Sequence, residues 1–308
     1  MSIIDKSGQH VGDNSTAIQV AGNATIGNST SEVIEICKLV IMKEFSSLRE
    51  EAMSIALQRA QEFATNIANR LSSEVDDKIR TKLKDPDIEF SIREATLIVA
   101  KKGCKTKSDL LQEIIVSKVS NENEETDLLL DHALEITKRL TTSEIKLLAL
   151  IYYIRVSDLL VDNESVDELI ENYNDSILHP SITLDECYSI NKKKLSLSFP
   201  LLKRIIVELA SIAPINPSHL ELKGCLHSGR QYKSSLLEFM SKKTGLIIDS
   251  EEQLAEYFPD IKEIINTFGI ESLSGFDKMI PNELGLIIAR SFMRAQGVYE
   301  SVTTTFSR

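Results

Sequence analysis

His219, Cys225 and His227 form the one close grouping of metal-ligating side chains in the sequence, set beside Pro214 and Pro217. A zinc site needs such groups to converge at ligand spacing. These intervals fit neither a zinc finger nor an H-E-x-x-H helix, so a structural loop role is favoured and no metal is assigned. The sequence also lacks a G-x-S-x-G elbow and a G-x-x-x-x-G-K-[ST] phosphate loop. The carboxylate pairs Asp76-Asp77 and Glu124-Glu125 fall on polar faces of predicted helices and read as solvated surface. Ser228-Gly229-Arg230 offers a weak anion site, where the N–H groups of a helix start and the Arg230 guanidinium would face one ion. No catalytic residue and no cofactor is expected, and an enzyme is the less favoured class.

The composition narrows the partners. The chain has 308 residues, a net charge of −11 and no Trp, and only 6% of its residues are aromatic. Aliphatic cores between helices suit that composition, and the acidic surface disfavours nucleic acid and anionic lipid. Lys101-Lys102, Lys105, Lys107 and the run Lys192–Lys194 have no interleaved aromatics on which bases could stack, and read as balancing charges. Cys37, Cys104, Cys187 and Cys225 are too scattered for a disulfide framework. Neither a signal peptide nor an apolar run long enough to span a membrane is evident, so the expected compartment is the cytosol.

The first thirty residues differ in kind from the rest. Gln9 to Thr30 alternates short β-branched runs with Gly12-Asp13, Gly22-Asn23 and Gly27-Asn28, and contains no Lys, Arg or Glu. Gly permits the positive backbone dihedral of a tight turn, and Asn or Asp tolerates it. Gln9 and Gln19 each precede a β-branched residue and one of these pairs; Val11, Ile18, Val20 and Ile26 supply strand material. Asn14, Asn23 and the glutamines could ladder between stacked copies. A strand-turn segment this short has no core of its own. Its simplest partner is a second copy of itself.

Helical sequence follows. Ser31 to Lys84 reads as one long helix or two nearly collinear ones, capped by Thr30 or Ser31 and stopped by Pro86. Ile41, Phe45, Leu48, Ala52 and Ile55 take the alternating 4-3 steps of a coiled-coil seam. The favoured reading is a stalk packed against other subunits; the alternative is a long helix folded against its own domain. Phe63, Ile67, Leu71, Val75 and Ile79 then step by fours, which lets the stripe drift around the helix. Further helices are expected at 88–101, 108–119, 124–139, 142–159 and 165–173, with Gly103 ending the first and Ser108 capping the second. Leu147, Leu148, Leu150, Ile151 and Ile154 make the 142–159 helix apolar almost all round, so it should be the buried centre. After a connector near 182–197, helices are expected at 200–212, 231–243, 250–257, 259–268 and 281–295, with a short strand at Leu246-Ile247-Ile248. The excursion from Gly269 to Met279 and the exit at Ile280–Ile287 resemble a winged-helix module.

The opening Asp5-x-Ser7-x-Gln9-x-x-Gly12-Asp13-Asn14-Ser15-Thr16, followed by Gln19, resembles that of a family of largely uncharacterised bacterial cytosolic proteins. Similar openings occur near bacterial immunity genes, which implies a role in phage defence. The segment is also similar to amyloid-type signalling motifs with an I/V-Q-V-G core. His10 and Ala21 interrupt that core here, which implies a closed β assembly of a few subunits.

The expected fold is therefore mainly α, with a long N-terminal helix, a helical bundle and a short N-terminal β element that mediates self-assembly. The expected division is an assembly segment at 1–30, a helical stalk at 31–85, a helical core at 86–180 and a C-terminal helical, winged-helix-like module at 181–308. The expected function is that of a homo-oligomeric assembly or sensor protein in antiphage defence, with itself and a further protein as partners. The alternative is a DNA-binding or effector protein that uses the C-terminal module.

Overall fold

The computed structural model describes residues 28–45, 49–71, 76–156, 212–228, 235–244 and 247–297. Helices account for most of them, and their one β pairing is an isolated antiparallel bridge between Leu226 and Pro281. The N-terminal β element expected at 1–30 lies outside the described residues up to Gly27; Asn28 already opens a helix. No described helix is long and apolar enough to cross a membrane.

The expected long helix is instead three: α1 (Asn28–Glu44), α2 (Glu50–Leu71) and α3 (Asp76–Leu83). The chain bends at Phe45, and α1 and α2 pack against each other as a hairpin, so they are not collinear. Folding back lets Ile41 and Phe45 bury against Ala56, Ala60 and Ala100, surface that an isolated helix would leave in water. The small Ala side chains permit that close approach.

The next four helices start and stop close to expectation. In α4 (Pro86–Lys102), the Asp85 carboxylate accepts the Asp87 N–H at 3.1 Å, and Pro86 occupies the first turn without costing a hydrogen bond. Gly103 ends it at φ 59°, donating to the Val99 carbonyl at 2.9 Å. The next helix, α5 (Lys105–Ser120), begins three residues before the expected cap. Cys104 stands at its N-cap without a side-chain bond, and Ser108 lies inside the helix, accepting from the Gln112 amide at 3.1 Å. Asn123 caps α6 (Glu124–Thr137), accepting the Thr126 N–H at 2.9 Å. A capping box opens α7 (Thr142–Arg155): the Thr141 hydroxyl accepts the Glu144 N–H at 3.2 Å, and the Glu144 carboxylate accepts the Thr141 N–H at 2.7 Å. Every residue from Ser143 to Ile154 is buried, as its apolar circumference predicts.

The C-terminal part contains α8 (Pro217–Leu222), α9 (Leu236–Thr244), α10 (Glu251–Tyr257), α11 (Pro259–Thr267), α12 (Leu273–Phe276) and α13 (Glu283–Ala295). The expected strand at 246–248 does not form over 247–248. Ile248 instead exchanges both its backbone groups with the Ser241 hydroxyl, at 3.1 and 3.3 Å. Helix α13 packs on α5, α6 and α7, and one hydrophobic core runs from Val33 to Met293. That docking depends on a glycine: a Cβ at Gly285 would stand 2.1 Å from the Cys225 carbonyl oxygen. Asn282 fixes the same corner, accepting the Gly285 N–H at 3.0 Å and donating to the Gly224 carbonyl at 2.8 Å.

Candidate functional site

Among the described residues, a dense grouping of charge is built around Lys118, near the end of α5. Its side chain is fully buried, and its ammonium lies 2.6 Å from Asp87, 2.8 Å from Asp127 and 2.9 Å from Asp131. Asp87 comes from the first turn of α4, Asp127 from the first turn of α6, and Asp131 from one turn further on. Helix N-termini favour carboxylates, so two of the three acids gain a second source of stabilisation. The three carboxylates are near enough to hold a divalent cation. The Lys118 ammonium already contacts all of them, so the cluster carries its own cation. Burial pulls the ammonium's pKa down, but the hydrogen bonds to Asp127, Asp87 and Asp131 outweigh it and hold Lys118 above the ordinary lysine range. A lysine held protonated in this way is a structural charge and no nucleophile.

This cage aligns α4 and α6. Lys118 joins the N-terminal ends of the two helices, and Lys138 meets Glu94 at 3.1 Å further along both. The helices therefore run parallel, with α5 packed against each. Between them lies a groove of about 520 Å³. Asp87, Phe90, Glu94 and Leu97 line it from α4, and Asp131 and Glu135 from α6. Phe90 is 65% exposed, and Leu128, one turn before Asp131 on α6, is 58% exposed.

A second polar cluster sits at the start of α7. The Lys223 ammonium donates to both oxygens of buried Glu144, at 2.6 and 2.7 Å, tying the turn after α8 to the capping box. Burial raises the Glu144 carboxyl, but Lys223 and the Thr141 N–H outweigh it and hold it below the usual glutamate range. Lys107 donates to the Lys138 carbonyl at 3.1 Å, and burial lowers its pKa. Cys104 lies 3.2 Å from the Thr142 hydroxyl. Burial pushes the Cys225 thiol up to about 12 and the Cys37 thiol up to about 11, so both stay protonated at neutral pH and neither is activated for attack.

The residues expected from sequence to drive assembly are placed unevenly. Gln9, Val11, Gly12, Asn14, Ile18, Gln19, Val20, Gly22, Asn23 and Ile26 lie outside the described residues, as do Leu48 and Arg230. Ile41 and Phe45 are buried inside the α1–α2 hairpin, and this removes them from any outward seam. Ala52 and Ile55 are exposed on α2. The hairpin also exposes Leu39 and Met42, which are three residues apart and share one face of α1. Leu39 precedes the expected seam and Met42 falls between two of its positions, so the 4-3 spacing marks neither.

The structure does not gather His219, Cys225 and His227 into a candidate ligand set; among the described residues, that geometry is found only at Asp87, Asp127 and Asp131. Cys225 is buried, and the His227 N–H bonds the Ile280 carbonyl at 2.9 Å, beside the Leu226–Pro281 bridge. The Lys118 cage is scarcely legible in the sequence. Its one local signal was the pair Asp127 and Asp131, four apart on a helix, and their distance from Lys118 depends on how α5 and α6 pack.

A protein-family model described as “:-like” matches residues 27–199, beginning one residue before α1. No curated protein and no solved structure matches the chain.

Proposed function

This chain belongs to the “:-like” family, whose model spans more than half of it, and from that premise we propose that it is a homo-oligomeric assembly or sensor protein that acts through protein–protein contacts in bacterial antiphage defence. The observation that carries this reading is the surface of the α1–α2 hairpin. Leu39, Met42 and Ile55 are 60, 54 and 49% exposed on two neighbouring helices whose other faces are buried. Scattered apolar residues are ordinary on a protein surface. Here they sit on the helices that directly follow, in sequence, the Gly/Asn-rich segment expected to pair with a second copy of itself. The phage-defence context rests on the resemblance of the opening Asp5–Thr16 to proteins found near bacterial immunity genes.

In this reading the N-terminal segment sets the number of subunits. The C-terminal loops around 214–229 and 269–279 meet the partner, with avidity from several copies held together. Light scattering on the full chain should return a multiple of 34.5 kDa. Replacing Val20 with Lys should lower that mass while leaving the helical circular-dichroism signal intact, because a charge buried at a subunit contact costs several kcal/mol in every copy. A 34.5 kDa monomer at tens of micromolar would sink the proposal. So would full protection in a phage-challenge assay by a monomeric chain that begins at Asn28.

A further inference from the structure

The groove between α4 and α6 joins an acidic end to two apolar side chains, Phe90 and Leu97, set among Arg93, Glu94, His132, Glu135 and Lys138. Asp87, Asp127 and Asp131 share a single ammonium, which leaves their cluster two negative charges in excess. Their side chains remain 50, 31 and 38% exposed, so the excess faces water although Lys118 does not. Other charges along the groove are matched: Lys138 with Glu94, Arg93 with Glu44, and Glu135 with Arg139. The uncompensated charge is therefore confined to the end where α4 and α6 begin.

Phe90 lies one turn along α4 from Asp87, and Leu97 two turns beyond Phe90. From Asp87 to Leu97 the groove runs about 15 Å, at about 1.5 Å per helical residue. A site with a charged end and apolar positions one and three turns away matches the face of a helix.

We infer that this groove docks a basic amphipathic helix of a protein partner. A Lys or Arg of that helix lies against Asp87 and Asp131, and apolar side chains one turn and three turns further on cover Phe90 and Leu97. The methylene stem and cationic head of the basic residue suit the edge between Phe90 and the carboxylates, since long cationic side chains bury their stems and cations favour aromatic faces. Nucleic acid, an acidic peptide and an anionic lipid surface would all meet the excess negative charge and be repelled. A bare metal ion would have to displace Lys118. The groove is complete within one chain, so the inference goes beyond self-assembly and does not depend on it.

The test uses the full chain and a fluorescein-labelled amphipathic Leu/Lys helical peptide, with its Leu/Glu counterpart and a scrambled Leu/Lys peptide as comparisons. Fluorescence anisotropy should show the Leu/Lys helix binding with Kd on the order of 10 µM, weakening as salt rises, while the other two bind at least about tenfold more weakly. Phe90→Ser should cost at least about tenfold in affinity, because an exposed aromatic anchor is lost while the fold is spared. Glu135→Lys, which adds a positive charge inside the groove, should also weaken binding. Leu39→Ser, on α1, should leave the affinity unchanged. Equal affinity of Phe90→Ser and the unaltered chain would overturn the inference, as would equal binding of the Leu/Glu peptide. If light scattering showed the peptide dissociating an oligomer of the chain, the occupant would be a second copy, and the inference would likewise fail.

Discussion

Helix α7 and the α1–α2 hairpin are both made of strongly helix-forming sequence, yet water reaches them very differently. From Ser143 to Ile154 every side chain of α7 is inside, and its polar residues there are matched: Ser143 accepts the Ala213 N–H at 3.0 Å, and Glu144 holds Lys223. The hairpin is half in water. Ala56, Ala60, Phe63, Ala64, Ile67, Ala68 and Leu71 of α2 are buried, while Leu39, Met42 and Ile55 stand in solvent. A helix that is apolar all round can only be central, whereas a helix with one apolar stripe can find its cover in its own chain or in another. The first pattern carries a location in the fold, and the second carries only an orientation.

The largest expected effect lies at the centre. Ile151→Ala removes methyl groups from a fully buried site, and should cost about 4 kcal/mol in a denaturant titration. A cost below about 1 kcal/mol would deny α7 its central place.

The edge of that centre is sharpened by Glu144→Gln. A Gln keeps the capping-box acceptor but removes the charge opposite Lys223, so about 2 kcal/mol should be lost at pH 7. The sign with pH follows from the direction of the shift. The folded Glu144 carboxyl titrates below its unfolded value of about 4.3, so its contribution is present above that value and vanishes as pH falls through the folded one. Chemical unfolding at pH 7 and again in strong acid should show the gap between the unaltered chain and the variant closing. A gap that stayed constant would place the stabilisation elsewhere than in the ion pair.

The smallest effect on stability, and the one that probes the other side of the comparison, is Ile55→Ser. At 49% exposure this change should alter folding stability by less than about 0.5 kcal/mol. It should nonetheless lower the mass seen by light scattering if the outer face of the hairpin is covered by another subunit. Unchanged mass would remove Ile55 from the interface and leave assembly to α1 and the N-terminal segment.

The sequence by itself determined the mainly α character, most helix boundaries from Pro86 onward, and the burial of α7. These are local properties: Asp85-Pro86, Asn123, the Thr141–Glu144 box and Gly103 act on backbone groups within a turn of themselves, and α7's apolar circumference needs no partner to be recognised. It misplaced the start of α5, because Ser108 is a good cap by type but lies inside a helix already begun at Lys105. It joined α1 to α2, because the 4-3 spacing of Ile41, Phe45, Leu48, Ala52 and Ile55 reads the same whether the chain continues or folds back. Tertiary structure alone decided that fold-back, the gathering of Asp87, Asp127 and Asp131 around Lys118, the grip of Lys223 on Glu144, and the groove between α4 and α6. Each depends on residues distant in sequence that meet only when helices pack, and the energy that selects that packing is buried area summed over many side chains, which no single motif encodes.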